Sequence, residues 1–326
     1  MQATFVITKN SNHLVPRKRI LHDRLAQNSE ICDTRSLSAR RLSVPAIALT
    51  YRNNSMKLKD KTIVVTGGAR GIGKALCAAF AREGARVVVT DLLTEEAEAT
   101  AKEIDGIAMT CDVSKEIHIQ QVVAATEQQV GPIDLFCSNA GICTGEPGNS
   151  ASASNADWQA CWDLHVMAHV YAARAVLPSM IERGEGYFVQ MASAAGLLSQ
   201  IGDAAYSASK HAAIGFAESL SITHADEGIK VSVICPQYVA TPMLGYAEGE
   251  GIGQYDGVIS PVQVADSVVR GIDSENFLIL PHPEVEGFIK FKTANYDRWL
   301  GGMRKLRRNI LIKIGNTRLQ DMHKLV

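Results

Sequence analysis

The 326-residue sequence lacks the features that define several classes of protein. It contains no run of 18 apolar residues, so no membrane-spanning helix is predicted. Its net charge of −1 argues against a protein that binds nucleic acid through an overall positive charge. Its seven cysteines form no C-x-x-C pair, so neither a zinc site nor a disulfide framework is predicted. With 46% apolar residues, the composition is typical of a globular protein of the reducing cytoplasm.

Charge is unevenly distributed and divides the chain into three regions. Residues 1–55 hold nine Lys/Arg and three Asp/Glu, and we predict a disordered basic extension there. An organelle transit peptide, rich in Arg and Ser and poor in acids, has the same composition and stays an alternative. Residues 56–285 form the predicted folded domain. Residues 286–326 form a predicted basic, amphipathic helical tail.

The tail prediction depends on one apolar stripe. Spacings of three and four residues place its members on one helix face: Trp299, Met303, Leu306, Ile310 and Ile314. Such a stripe packs against its own domain or a second subunit, or else lies on a membrane surface.

Strands and helices alternate through the central domain. Short apolar runs predict seven strands, at 62–66, 87–90, 107–111, 133–138, 187–192, 230–235 and 277–280. Helices are predicted between them, at 72–83, 95–104, 115–130, 155–181, 204–226 and 262–271. This alternation predicts an α/β fold with a single, doubly wound parallel sheet of about seven strands and helices on both faces, a Rossmann fold.

A glycine-rich turn joins the first strand to the first helix. It runs from Thr66 to Gly73, with glycines at 67, 68, 71 and 73. Glycines let the backbone approach a pyrophosphate closely, and the following helix N-terminus offers free N–H donors. The strand before and the helix after are the context that makes such a turn a dinucleotide site.

Asp91 ends the second strand, 18 residues after Gly73. A carboxylate at that position accepts hydrogen bonds from a ribose 2′-OH and repels a 2′-phosphate, which favours NAD over NADP. Arg70 opposes this reading because it could pair with a phosphate. We weigh Asp91 more heavily, since Leu92 and Leu93, rather than basic residues, follow it.

Tyr206 and Lys210 are four residues apart on a predicted helix, so their side chains leave the same face. An ammonium beside a phenol is expected to lower the pKa of the tyrosine. A tyrosine with such a pKa can donate or accept a proton near neutral pH. Ser193, at the exit of the fifth strand, could hold a substrate oxygen.

Together these segments resemble the short-chain dehydrogenase/reductase family, in the branch with T-G-x-x-x-G-x-G and Y-x-x-x-K motifs. The resemblance covers residues 57 to about 280. Beyond the glycine turn it rests on Cys111-Asp112-Val113, Asn139-Ala140-Gly141, Met191 to Gly196, Tyr206 to Lys210 and Pro236 to Thr241. It implies that the cofactor contacts Gly67, Arg70, Gly71, Ile72, Gly73, Asp91, Asp112, Val113, Asn139, Ala140, Gly141, Tyr206, Lys210, Pro236, Val239 and Thr241.

The resemblance also implies a reaction, a reversible hydride transfer between nicotinamide and a carbinol or carbonyl carbon. Tyr206 would be the acid/base, Lys210 would lower its pKa and bind the ribose, and Ser193 would stabilise the substrate oxygen. Family members are usually dimers or tetramers that pair through the helices predicted at 155–181 and 204–226.

Two positions depart from the family pattern. His165 stands where the family carries a catalytic Asn that helps to hold a water in a proton relay. A histidine also donates and accepts, so either an altered relay survives or His165 is a packed core residue. Gln237 replaces a loop glycine.

The leading hypothesis is therefore an NAD-dependent dehydrogenase or reductase acting on a small-molecule alcohol or ketone. Met243, Leu244, Tyr246 and Ile252 lie in a glycine-rich stretch that resembles a mobile lid, and they would make the substrate pocket hydrophobic. A catalytically weak NAD-binding sensor or scaffold, and an isomerase or epimerase on the same fold, remain alternatives.

Overall fold

A computed structural model describes residues 56–146 and 148–325 of the chain. The predicted basic extension, residues 1–55, lies outside the described residues. Strands and helices alternate from Thr62 onward, as the sequence pattern predicts.

Seven strands form one parallel sheet, which confirms the predicted fold class. In spatial order they are β3 (Ile107–Thr110), β2 (Arg86–Asp91), β1 (Thr62–Thr66), β4 (Leu135–Ser138), β5 (Gly186–Met191), β6 (Ile229–Ile234) and β9 (Leu278–Ile279). Two shorter strands, β7 (Tyr238–Val239) and β8 (Val258–Ile259), pair separately and also in parallel. The strand order reverses between β1 and β4, and in doubly wound sheets ligands bind beside that point, at the carboxyl ends of the strands.

Helices cover both faces of the sheet. They are α1 (Gly71–Arg82), α2 (Thr94–Glu103), α3 (Glu116–Gln129), α4 (Asn155–Trp162), α5 (Ala168–Arg183), α6 (Ala194–Leu197), α7 (Ala204–His224), α8 (Pro261–Asp273), α9 (Glu284–Ala294), α10 (Tyr296–Ile314) and α11 (Leu319–Met322).

The sheet has a hydrophobic core on each face because its central strands are buried on both sides. Successive residues of β5 alternate between the two cores: Tyr187 and Val189 belong to the core beneath α1 and α8, and Phe188 belongs to the core beneath α3, α5 and α7. Fully buried strands of this kind read as continuous apolar runs rather than as alternating ones.

The predicted helix 155–181 is interrupted. It begins at Ser154, whose hydroxyl accepts a hydrogen bond from the Asp157 N–H in a capping box. A π-helical segment, Asp163–Met167, then separates α4 from α5. Such bulges are frequent at functional sites, and this one carries His165.

The C-terminal region is more elaborate than the single helix predicted. Helices α9, α10 and α11 follow the last strand and are joined by short connections. Of the predicted stripe on α10, Trp299 and Ile310 are buried, whereas Leu306 is exposed. The stripe therefore packs on its own chain through part of its length.

Candidate active site

A cavity of about 490 Å³ lies at the carboxyl ends of the central strands. Every catalytic and cofactor-binding residue predicted from the sequence lines this cavity: Gly67, Arg70, Gly71, Ile72, Gly73, Asp91, Asp112, Val113, Asn139, Ala140, Gly141, His165, Ser193, Tyr206, Lys210, Pro236, Val239 and Thr241. Residues far apart in the sequence meet here because a parallel sheet brings the loops that follow its strands to one edge.

The glycine turn has the geometry of a dinucleotide cradle. Gly67 has a φ of +64°, which favours glycine, and a Cβ there would lie 2.8 Å from the Ala140 Cα. A Cβ on Gly73 would lie 1.9 Å from the Gly67 carbonyl oxygen. No side chain caps the first turn of α1, so its backbone N–H groups remain available to an anion. The turn therefore fits a pyrophosphate.

Asn139 fastens this turn to the end of β4. Its side-chain amide donates to the carbonyl oxygens of Thr66 and Gly67, at 2.9 and 3.1 Å. The Thr66 hydroxyl in turn accepts from the backbone N–H groups of Asn139 and Ala140, at 3.0 and 3.2 Å. These bonds fix the cradle before any ligand binds.

At the far end of the cradle, the side chains of Asp91 and Arg70 both have partners within the protein. The Asp91 carboxylate accepts from the backbone N–H groups of Ala69 and Leu93, each at 3.1 Å. The Arg70 guanidinium forms a bidentate ion pair with Glu96. Because Glu96 already neutralises Arg70, this arginine is a poorer partner for a 2′-phosphate than its position in the motif suggests.

Ser193, Tyr206 and Lys210 meet at the opposite end of the cavity. Ser193 follows β5 and caps the short helix α6, its Oγ accepting from the Ala195 N–H at 3.1 Å. The Lys210 ammonium lies 5.6 Å from the centre of the Tyr206 ring. It donates to the Met191 carbonyl at 2.8 Å. The lysine is thus fixed between the sheet and the phenol.

The pKa of Tyr206 contradicts the expectation from sequence. Burial raises the pKa of this phenol, and the hydrogen bond with Ser193 offsets only part of the increase. Burial likewise lowers the pKa of Lys210 from 10.5 to about 8. The prediction that the neighbouring ammonium lowers the tyrosine pKa below its usual value is therefore wrong for the protein alone, because burial of the phenol raises its pKa.

His165 uses both ring nitrogens for structural contacts. Its Nε2 accepts from the Ile142 N–H at 3.1 Å, so the ring proton resides on Nδ1. The Nδ1–H then donates to the Ser209 Oγ at 2.9 Å, and Ser209 donates to the Tyr206 carbonyl at 2.9 Å. Burial holds the pKa of His165 well below 6.5, so the ring is neutral. Of the two readings left open, this favours a fixed core histidine that positions its neighbours.

A second buried histidine was not anticipated. His169 lies one turn beyond His165, and its burial lowers its pKa to about 3. Neither its ring nor the buried Gln190 side chain makes a hydrogen bond of good geometry. Their spacing and apolar surroundings in the sequence gave no signal that distinguishes them from core positions.

The residues that line the substrate end of the cavity match the predicted residues only in part. Met243 and Leu244 line it, as predicted. Tyr246 instead packs against His323, and Ile252 is 56% exposed. The C-terminal Leu319 lines the cavity, and sequence reasoning missed it because nothing local marks a residue that reaches the site from the chain end.

The described residues contain neither a membrane-spanning helix nor a metal-binding cluster. No helix among them is long and apolar enough to cross a bilayer. Within the same part of the chain, no cluster of three His, Cys, Asp or Glu residues could hold a metal ion.

This fold and this cavity define a nicotinamide-dependent oxidoreductase, and comparison with known proteins identifies the family. The short chain dehydrogenase family model matches residues 61–250. Oxidoreductase UcpA of Salmonella typhimurium is 34% identical over 222 residues, which are 66% of this chain and 81% of that protein. 1-Deoxy-11-beta-hydroxypentalenate dehydrogenase of Streptomyces exfoliatus is 34% identical over 253 residues, or 75% and 90% of the two chains. The chain belongs to the short-chain dehydrogenase/reductase family, whose members act on CH–OH groups.

Solved structures share the fold. A short chain dehydrogenase/reductase from Burkholderia phymatum, determined in complex with NAD, superposes with a TM-score of 0.67 at 24% identity, covering 74% of this chain and 96% of that one. The structure of gox2181 superposes with a TM-score of 0.62 at 27% identity, covering 69% and 95%.

Proposed function

We propose that this protein is an NAD-dependent dehydrogenase or reductase that interconverts a hydrophobic secondary alcohol and its ketone, with Tyr206 as the acid/base. The observation that carries the proposal is the shared cavity. One end is the glycine cradle, and the other end presents Ser193, Tyr206 and Lys210. Leu164, Met243 and Leu244 line the same cavity, which favours an apolar substrate.

Each of the three polar residues has a distinct task. A bound nicotinamide dinucleotide supplies or accepts the hydride. Tyr206 gives its proton to the substrate oxygen during reduction and recovers it during oxidation. Ser193 donates a hydrogen bond to that oxygen and keeps it in reach of the phenol. Lys210, held by the Met191 carbonyl, directs its positive charge toward the phenol.

The raised pKa of Tyr206 gives the two directions different dependences on pH. The phenol is protonated at neutral pH, so the proton donor for ketone reduction is ready. Oxidation needs the phenolate, so its rate should rise with pH, while reduction should not gain from alkaline conditions.

Tyr206→Phe tests the assignment. The variant should lose at least about a hundredfold in kcat, since general acid–base catalysis contributes about 10²–10⁴-fold. Reduction of NAD by a panel of secondary alcohols, followed by absorbance, is the measurement. Tyr171→Phe, on the same layer of helices and outside the cavity, is the matched control. Turnover that survives Tyr206→Phe would contradict the role, and a wild-type protein that binds NAD without turnover would favour the sensor alternative.

Preference for NAD over NADP is proposed from the Asp91 carboxylate and the paired state of Arg70. Asp91→Ser should weaken NAD binding and strengthen NADPH binding, because it removes a ribose acceptor and a negative charge facing the 2′-phosphate. Titration with both cofactors is the measurement. Tighter binding of NADPH by the wild-type protein would refute the preference.

We also propose a homodimer or homotetramer paired through α4, α5 and α7. Exposed apolar side chains on α4 and α7 support it, namely Trp158, Trp162 and Ile222, the last being 81% exposed. Light scattering after size exclusion measures the mass. Ile222→Asp should lower the mass if α7 pairs, whereas a monomeric wild-type protein would refute the proposal.

A cytoplasmic location is proposed from thiol chemistry. Six cysteines of the described part of the chain are free, and burial raises the pKa of several, including Cys77 and Cys137. Free thiols are typical of reducing compartments. Fractionation of cells that express the full chain tests this against organelle import directed by residues 1–55.

A further inference from the structure

The C-terminal end of the chain returns to the active-site cavity. α10 ends at Ile314 and is capped by Gly315, and residues 316–325 then carry α11 and a final short turn. We propose that this segment, the C-terminal strap, is the outer wall and latch of the substrate site, with Leu319 as a specificity-determining residue. The substrate part of this inference rests on the proposed function.

The strap first contacts the loop before the helix that carries Tyr206. Gly202 has a φ of +81°, and a Cβ there would lie 2.3 Å from the Thr317 carbonyl oxygen. The next residue, Asp203, caps α7 by accepting from the Tyr206 N–H at 3.0 Å. The strap is therefore packed directly against the segment that sets the position of the proposed acid/base.

The strap next contacts the opposite wall of the cavity. The Gln320 side chain donates to the Met243 carbonyl at 3.1 Å. Leu319 lines the cavity together with Met243 and Leu244. An apolar side chain from the chain end thus completes the apolar part of the site.

His323 holds the strap in place. The ring is completely buried, and its Nδ1 lies 3.0 Å from the Leu319 carbonyl, to which it can only donate. Its Nε2 therefore accepts from the Tyr246 hydroxyl, at 2.6 Å. The rings of Tyr238, Tyr246 and Tyr255 surround it, with centroid distances of 6.3, 5.2 and 5.9 Å.

A separate anchor fixes the region that precedes the strap. The Lys292 ammonium on α9 donates to the carbonyls of Leu197 and Leu198, at 2.7 and 3.1 Å. It also lies 4.8 Å from the centre of the Trp299 ring. The C-terminal region consequently connects both sides of the substrate cleft, the 197–202 side and the 243–246 side.

The latch is tested without any substrate. Glu248 and Glu250 are exposed in the loop that Tyr246 joins, so a glutamate-specific protease reports on the loop. His323→Ala and Tyr246→Phe should each accelerate cleavage there at least fivefold, and His323→Gln, which restores an acceptor, should recover part of the protection. His224→Ala, at a half-buried histidine that pairs with Glu227 at the end of α7, is the matched control. Equal cleavage rates in all variants would overturn the latch.

The wall is tested by substrate size. The quantity to compare is the ratio of kcat/KM for 1-phenylethanol to kcat/KM for 2-propanol. Leu319→Ala should raise this ratio by about tenfold, and Leu319→Trp should lower it. The reason is that an apolar pocket discriminates about 10–200-fold for one methylene-sized change in the substrate. Leu306→Ala, at an exposed leucine of α10 outside both the strap and the cavity lining, is the control. An unchanged ratio in both Leu319 variants would overturn the wall. If the wild-type protein oxidises no alcohol of the panel, the proposed function fails, while the protease experiment still decides whether the strap is latched.

Discussion

Lys210 should make the protein less stable, and that cost should disappear at high pH. The side chain is 2% exposed, and burial lowers its pKa from 10.5 to about 8. A tenfold change in proton affinity is worth about 1.4 kcal/mol, so the charged lysine opposes folding by about 3 kcal/mol. We expect Lys210→Met to remove this pH-dependent cost.

The sign follows from which state binds the proton. Below pH 8 the lysine is charged in both the folded and the unfolded protein, so the full cost is present. Between pH 8 and 10.5 the folded protein loses the proton first, and the wild-type protein gains stability relative to the variant. Above 10.5 the lysine is neutral in both states and the cost is gone.

A pH-independent loss accompanies the substitution. The Met191 carbonyl loses the donor that lies at 2.8 Å, which costs about 1–3 kcal/mol at every pH. This loss moves the baseline of the comparison and leaves its slope unchanged. The quantity to measure is therefore the change with pH in the difference between the two unfolding free energies.

Urea unfolding from pH 7 to 10.5, at one protein concentration and without cofactor, is the assay. The free energy of unfolding of the wild-type protein, minus that of Lys210→Met, should rise by about 3 kcal/mol across this range. The exposed Lys102→Met should stay within about 0.5 kcal/mol of wild type. A flat difference for Lys210→Met would refute the claim that burial of this charge is costly.

Substitutions at three further positions test other parts of the site. Gly73→Ala places a Cβ 1.9 Å from the Gly67 carbonyl oxygen, so the turn must shift. NAD binding should then weaken at least about a hundredfold in a titration. Binding within about threefold of wild type would contradict the assignment of this turn as the pyrophosphate cradle. Glu96→Gln frees Arg70 and should strengthen NADPH binding about fivefold; no gain would mean that the ion pair does not restrain the arginine. His165→Asn should keep kcat/KM within about fivefold, because an amide can accept from Ile142 and donate to Ser209, whereas His165→Ala should lower stability by about 1–3 kcal/mol in urea unfolding. Complete loss of turnover in His165→Asn would give the ring a role of its own.

The parts of this site that could be predicted are those encoded in short contiguous patterns. The glycine turn, Asn139 and the Tyr206–Lys210 pair each follow a strand or occupy one helix face. Because parallel strands bring their carboxyl ends to one edge, these patterns determine a common location without further information. The fold class was predictable for the same reason, since fully buried strands appear as apolar runs between helical segments.

The contacts of His165 could not be predicted in this way. Its partners, Ile142 and Ser209, are 23 and 44 residues away in the sequence, and the tautomer depends on both. Gln320 and His323 present the same difficulty, since their hydrogen bonds with Met243 and Tyr246 each span 77 residues. Local periodicity reports which face of a helix is apolar, but not which distant loop that face meets.

The pKa of Tyr206 shows where a pairwise rule failed. The sequence shows only that Tyr206 and Lys210 are neighbours on a helix, and this pair alone predicts that the ammonium lowers the pKa of the phenol. In the folded protein the same burial acts on both groups, raising the pKa of the phenol and lowering that of the lysine to about 8. Desolvation thus favours the neutral form of each partner, and above pH 8 the lysine carries little charge with which to stabilise a phenolate. On the proposed function, the pair is therefore suited to donating a proton to a ketone, and further positive charge within the cavity would favour removal of that proton. On the proposed function, the cradle would hold an oxidised cofactor whose nicotinamide ring would supply such a charge, so proton abstraction by Tyr206 would depend on cofactor binding.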